Sequence, residues 1–202
     1  MTQAIDIIVK GGIVMIPLLA CSLISLALTI ERLIFWARIR SQQAVQHMLT
    51  LVETGEFDRA LKLGRDSHYP IARVMAAGLA HRNPAPAKAM EAAAQAQIPL
   101  LKSRLGTLDT IITLAPLLGL LGTVVGMIGS FDIMSEAGMG QPHAVTGGVA
   151  EALIATASGL LIAILTLIPY NYFITRVEKE MDAMEHFSSS LELLLHEQPG
   201  QH

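Results

Sequence analysis

Charge and aromatic residues are both scarce in this 202-residue sequence: Asp, Glu, Lys and Arg make up 15% of it, and Phe, Trp and Tyr only 4%. Soluble domains carry about 25% charged residues, so a chain this poor in charge needs an apolar solvent for part of its surface. Without aromatics, the 52% hydrophobic content falls to Leu, Ile, Ala, Val and Met, a balance that favours helix over strand. The one cysteine, Cys21, excludes an intramolecular disulfide framework, and no zinc-type Cys/His spacing occurs. A formal charge of −3 is too small to argue for a nucleic-acid partner. The seven histidines (His47, His68, His81, His143, His186, His196 and His202) show no HExxH or comparable spacing. No Ser/His/Asp or Cys/His arrangement stands out, so the sequence is read as a non-enzyme with no cofactor and no metal site. The glycines from Gly119 to Gly129 lack the GxxxxGK[ST] pattern and lie inside an apolar run, which excludes a phosphate loop.

What the sequence has is three long apolar stretches, and mean hydropathy is +0.50. A spanning helix needs about 20 apolar residues to cross a hydrocarbon core of about 30 Å. Gly11 to Ile30 is uncharged and ends at Glu31-Arg32; Thr110 to Phe131 is uncharged; Ala144 to Thr175 contains one carboxylate, Glu151, before Arg176. Leu18-Leu19-Ala20-Cys21 loosely resembles a lipoprotein cleavage box. The weakly mixed start (Asp6, Lys10) and the apolar run past Cys21 favour a retained anchor instead. The expected fold is all-α, a polytopic membrane protein with three transmembrane helices. Spans two and three are expected to extend into a helical cytoplasmic region.

Lys and Arg set the orientation. Between spans one and two lie Arg38, Arg40, Arg59, Lys62, Arg65, Arg73, Arg82, Lys88, Lys102 and Arg104, and Arg176 and Lys179 follow span three. Asp132 to His143 has neither, and the N-terminus has only Lys10. The expected order is an outward N-terminus over 1–10, span one over 11–36 and a cytoplasmic helical segment over 37–106. Span two covers 107–131, a periplasmic loop 132–145, span three 146–174 and a cytoplasmic helical tail 175–202. The middle segment reads as short helices broken at Thr54-Gly55, His68-Tyr69-Pro70 and Asn83-Pro84-Ala85-Pro86. Ala44, Val45, Met48, Leu49 and Val52 keep the helical period, as do Ile71, Val74, Met75 and Leu79. From Ala87 the chain is expected to run into span two without a clear stop, Pro99 and Pro116 bending the helix or marking its breaks. In the tail, Val177, Met181, Met184, Ser188, Leu191 and Leu195 form a coiled-coil-like seam expected to pack against a neighbour.

Small residues cluster on single faces. At 100° per residue, Ala115, Gly122, Thr123, Gly126, Gly129 and Ser130 fall within about 80° of Gly119. On span three, Glu151, Ala152, Ala155, Thr156, Ser158, Gly159, Ala163 and Thr166 share one half of the helix with Gly148. The other half carries Leu153, Ile154, Leu160, Leu161, Ile164, Leu165 and Ile168. A small face suits a close helix contact or a cavity, and a bulky face suits lipid or a neighbouring helix. A carboxylate such as Glu151 is costly within a span and usually faces protein. It is either a proton-handling group or a hydrogen-bonded packing group. Thr123 and Thr156 are either pore-facing or bonded back to their own helix carbonyls.

Two segments carry a resemblance. The first is Ala115-Pro116-Leu117-Leu118-Gly119-Leu120-Leu121-Gly122-Thr123-Val124-Val125-Gly126-Met127. The second is Gly148-Val149-Ala150-Glu151-Ala152-Leu153-Ile154-Ala155-Thr156-Ala157-Ser158-Gly159-Leu160, followed by Tyr170-Asn171. In order and placement they resemble the ExbB/TolQ branch of the MotA/TolQ/ExbB family of proton-driven motor proteins, most closely ExbB. The resemblance implies a homopentamer in the bacterial inner membrane whose second and third spans line a pore. That pore would hold an ExbD- or TolR-like single-span partner, coupled to a TonB-like protein. It makes Thr123, Thr156 and Glu151 the proton-pathway and pore-lining residues, and Gly119, Gly122, Gly126, Ala152, Ala155 and Gly159 the small pore-face residues. The main proton carrier would be an aspartate of the partner, since the three uncharged or nearly uncharged stretches contain none. A TolQ-like role in envelope maintenance and a non-conducting membrane scaffold are the alternatives.

Overall fold

A computed structural model describes residues 11–39, 42–137 and 142–197. The expected N-terminal region 1–10, Arg40 and the middle of the expected periplasmic loop lie outside the described residues. Among the described residues the secondary structure is helical throughout. In chain order the helices are α1 (Met15–Arg38), α2 (Gln42–Glu53), α3 (Phe57–Asp66), α4 (Pro70–Ala80), α5 (Pro86–Lys102), α6 (Leu105–Ala137) and α7 (Pro142–Glu197). The three expected spans fall in α1, α6 and α7, each long and apolar enough to cross a membrane.

The chain divides into two compact units. The first contains the chain up to Glu31 and Arg104–Tyr172, so it holds the apolar part of α1, all of α6 and the first part of α7. Its interior is thin. Val14, Met15, Leu18 and Ala115 are buried together, with Leu118 and Ile162 packed against them. The bulky residues point the other way: Leu117, Leu153 and Leu165 are each more than 60% exposed. In water such a surface would drive association; against lipid tails or a neighbouring helix it is ordinary.

The second unit contains Arg32–Ser103 and the chain from Phe173 onward. Here the short helices expected from the sequence form at the expected breaks. Helix α2 ends in a Schellman motif at Gly55 (φ 78), whose N–H donates to Val52 O while the Glu56 N–H donates to Leu51 O. Glycine takes this left-handed position without the penalty that a Cβ brings. Helix α4 starts at Pro70, where the missing N–H costs no helical bond, and it is the centre of the unit. Ile71, Ala72, Val74 and Met75 have no exposed surface, and Val45, Met48 and Val52 of α2 are equally enclosed. Gly64 of α3 faces Met48 Cε, Ala72 O and Ala76 Cβ so closely that an added Cβ would stand 2.6–2.8 Å from each. In the α7 tail the expected seam is the inward face. Val177, Met184 and Leu191 are buried, and Met181, Ser188 and Leu195 are half-buried.

One expectation is corrected. Between Ala87 and span two the chain does stop, and neither Pro99 nor Pro116 marks the place: Pro99 lies inside α5 and Pro116 inside α6. The break is at Ser103-Arg104, where Arg104 takes a left-handed backbone (φ 67). Such a conformation is uncommon outside glycine and needs support from its surroundings. Two observations supply some of it. Arg104 Nε lies 3.7 Å from the Glu31 carboxylate, and Leu105, Leu108 and Ile111 just beyond are buried.

Candidate functional site

The small faces of α6 and α7 meet each other within the chain. An added Cβ on Gly122 would stand 2.5 Å from Ala155 Cβ, and one on Gly126 would stand 2.9 Å from Ala152 Cβ and 3.1 Å from Gly148 O. On Gly119 it would reach Ala155 O and Thr156 Cα at 3.0 Å, and on Gly159 it would overlap Ala115 O. All six predicted small residues, Gly119, Gly122, Gly126, Ala152, Ala155 and Gly159, therefore lie in one antiparallel close contact. Missing side chains let two backbones approach where bulkier pairs would hold them apart.

The two threonines differ. Thr156 Oγ1 donates to Gly119 O at 2.8 Å, crossing from α7 to α6. Thr123 Oγ1 donates to Leu120 O at 2.6 Å, within its own helix. The structure does not join them to each other. Thr156 ties the close contact together, and Thr123 keeps its hydroxyl on the local backbone, the ordinary habit of a helical Thr.

Glu151 is half-buried and lies one to two turns from Thr156 along the same helix. Its carboxylate packs over Gly12, on the stretch leading into α1. Gly12 has φ +72, and any Cβ there would collide with Glu151 Oε1. Gly11 beside it faces Met15 and Ile154. Two independent demands, a left-handed backbone and a carboxylate in the way, thus fall on one glycine.

Three arrangements escaped the sequence reading. Ser25 of α1 and Thr166 of α7 are both buried with their hydroxyl oxygens 2.6 Å apart. Since Thr166 also donates to Ile162 O at 2.7 Å, Ser25 is the donor between them. Serines inside the first apolar stretch, Ser22 and Ser25, were the available signal. About one turn further along α7, the Tyr170 hydroxyl is in hydrogen-bond reach of the Asp109 carboxylate.

The third arrangement belongs to the second unit. The Tyr69 hydroxyl, on a residue 5% exposed, hydrogen-bonds the Glu180 carboxylate, and Arg176 stands close enough to act on both. The Arg176 guanidinium also lies 5.6 Å from the centre of the Trp36 ring. Burial pushes the Glu180 carboxyl above its usual range, while the Tyr69 hydrogen bond and Arg176 pull the other way without cancelling it. Burial, and then the nearby Glu180 charge, raise the Tyr69 phenol as well. Among the described residues no group of three or more His, Cys, Asp or Glu could hold a metal ion.

The close α6–α7 contact, its crossing threonine and its carboxylate all fall within residues 66–186. That segment matches the MotA/TolQ/ExbB proton channel family. The chain belongs to this family. An ExbB-like biopolymer transport protein of Synechocystis sp. is 40% identical over 200 residues, 94% of this chain and 95% of its own length. The TolQ protein of the Tol-Pal system of Haemophilus influenzae is 36% identical over 111 residues, covering 55% of this chain and 49% of that one. The biopolymer transport protein ExbB of Aquifex aeolicus is 40% identical over 81 residues, 40% of this chain and 55% of its own. This is therefore an ExbB/TolQ-type protein of a transport and channel family, with three helices able to cross a membrane.

Proposed function

We propose that this chain is the ExbB-like subunit of a proton-motive-force-driven motor in the bacterial inner membrane, energising TonB-dependent transport across the outer membrane. In this reading five copies enclose the single membrane helices of an ExbD/TolR-like partner, whose aspartate carries the proton. The N-terminus faces the periplasm, the segment 37–106 and the tail 175–202 are cytoplasmic, and Thr123, Thr156 and Glu151 face the proton path. An ExbB-like role is preferred to a TolQ-like one because the relative that aligns nearly end to end, over 94% of the chain, is the ExbB-like protein of Synechocystis, while the Haemophilus TolQ and the Aquifex ExbB align over 55% and 40%.

The observation that carries the proposal is the α6–α7 contact. Two apolar helices are held closely by glycine and alanine; Thr156 bonds across the contact, buried Ser130 packs against Gly148 within it, and Thr123 and Glu151 are the polar groups nearby. A proton crossing 100 mV releases about 2.3 kcal/mol, enough to bias small steps if the barrier between them is low. A closely packed helix pair gives such steps a firm wall. Thr123, whose hydroxyl donates to Leu120 O, can turn that hydroxyl toward a partner carboxylate at the cost of about one ordinary hydrogen bond.

The test is uptake driven by the proton-motive force in cells carrying Thr123→Ala with Thr156→Ala. The complex is expected to assemble and lose its output, with Thr156→Ser retaining most of it. Full activity of the double variant would remove the proton-path assignment and favour a passive scaffold.

A further inference from the structure

In the second unit, α5 and the tail of α7 flank a groove of about 350 Å³. Its floor is apolar and rich in methionine: Met90, Ile98, Met181 and Met184, of which Met90 and Met184 are almost completely buried. Three carboxylates, Glu91, Glu185 and Glu192, stand around it, and among the described lining residues there is no Lys, Arg or His. The volume lies within the range of ligand-binding clefts. Methionine side chains are flexible and polarisable, so such a floor adapts to apolar side chains of different shapes.

The charges narrow the occupant. An anionic lipid headgroup or a nucleic-acid phosphate would be repelled by three glutamates. Two copies meeting groove to groove would bring like charges together; a neighbour in a ring would have to offer a different, basic face, and oligomeric mass separates that occupant from a partner's segment. What remains is a segment that offers an apolar stripe to the floor and cations to the rim, the pattern of an amphipathic helix in a groove. We propose that this groove docks a basic, amphipathic helical segment from the cytoplasmic flank of a membrane-spanning partner. Such flanks are enriched in Lys and Arg, and the choice of source rests on the cytoplasmic placement of α5 and the α7 tail. Docking itself does not depend on proton conduction.

The experiment uses the full chain in lipid nanodiscs and two fluorescent peptides. One carries leucines at i, i+3, i+4 and i+7 with lysines on both flanks, and the other is identical with glutamates in place of the lysines. The lysine peptide is expected to bind saturably, less tightly as salt rises, and the glutamate peptide not at all. The double change Glu185→Gln with Glu192→Gln should weaken the lysine peptide about tenfold, the scale of a lost interface anchor. Ala94→Trp fills the groove without altering its charge and should weaken it as much. Equal binding of both peptides, no binding of either, or unchanged affinity in both variants would overturn the proposal. So would a shift in oligomeric mass caused by the glutamine pair, because a second copy of the chain would then be the occupant.

Discussion

The two units of this chain are held together in opposite ways. In the second, large apolar side chains are buried: Met48, Ile71, Val74 and Met75 have no exposed surface. In the first, the contact between helices is made by residues that have almost no side chain, and the large ones, such as Leu117 and Leu165, point outward. The reason is the solvent. Burying a leucine away from water gains about 2–3 kcal/mol, whereas lipid tails are as apolar as leucine and burial from them gains little. Membrane helices therefore associate by close backbone packing and a few hydrogen bonds. One polypeptide thus follows two packing rules, and the boundaries between them fall at Glu31-Arg32, Ser103-Arg104 and Tyr172-Phe173.

That contrast can be broken at either end. The largest effect is expected in the second unit. Ile71→Ala removes an enclosed side chain and should cost about 2–5 kcal/mol, read as a lower thermal midpoint of the second unit. Next comes the contact in the first unit. Gly159→Ala drives a methyl group into the Ala115 carbonyl and the Gly119 backbone, neither of which can rotate away. A cost of about 1–3 kcal/mol follows from overpacking, while Gly129→Ala, with nothing within 4 Å of the added carbon, should be neutral or slightly stabilising. If the two alanines behave alike in thermal unfolding in detergent, the close contact is not what holds α6 to α7.

The smallest effect sharpens the comparison through pH. The folded chain holds the Glu180 carboxyl above its ordinary value of 4.5. Stability linked to this group is therefore complete below that value and is lost as pH rises through the folded pKa. Moving from pH 7 toward 4.5 should raise the midpoint of the wild type relative to Glu180→Gln, which lacks the titrating group. Parallel curves for the two proteins would show that Glu180 is no better solvated unfolded than folded.

Much of this was legible in the sequence because it depends on neighbours along the chain. The breaks at Thr54-Gly55, His68-Tyr69-Pro70 and Asn83-Pro84-Ala85-Pro86 are written in turn residues. The buried faces of α2, α4 and the α7 tail follow from apolar periodicity. Projection of α6 and α7 also found the residues of their contact, since small residues at helical spacing need a close neighbour. The break at Ser103-Arg104 was hidden because no glycine or proline announces it. Ser25 with Thr166, Tyr69 with Glu180 and Gly12 with Glu151 were hidden for another reason. Each joins residues more than a hundred positions apart, and pairing at that distance has no local periodicity.

Gly12 carries a consequence for inheritance. Its left-handed backbone and the carboxylate of Glu151 both forbid a side chain, so a change at position 12 is admissible only alongside a shorter or redirected group at 151. The two positions are separated by most of the sequence, yet the full-length carboxylate at 151 is compatible only with glycine at 12. Recombination that exchanges the first span between diverged relatives would separate them. Chimaeras joined anywhere between α1 and α7 should therefore work best when positions 12 and 151 come from the same parent.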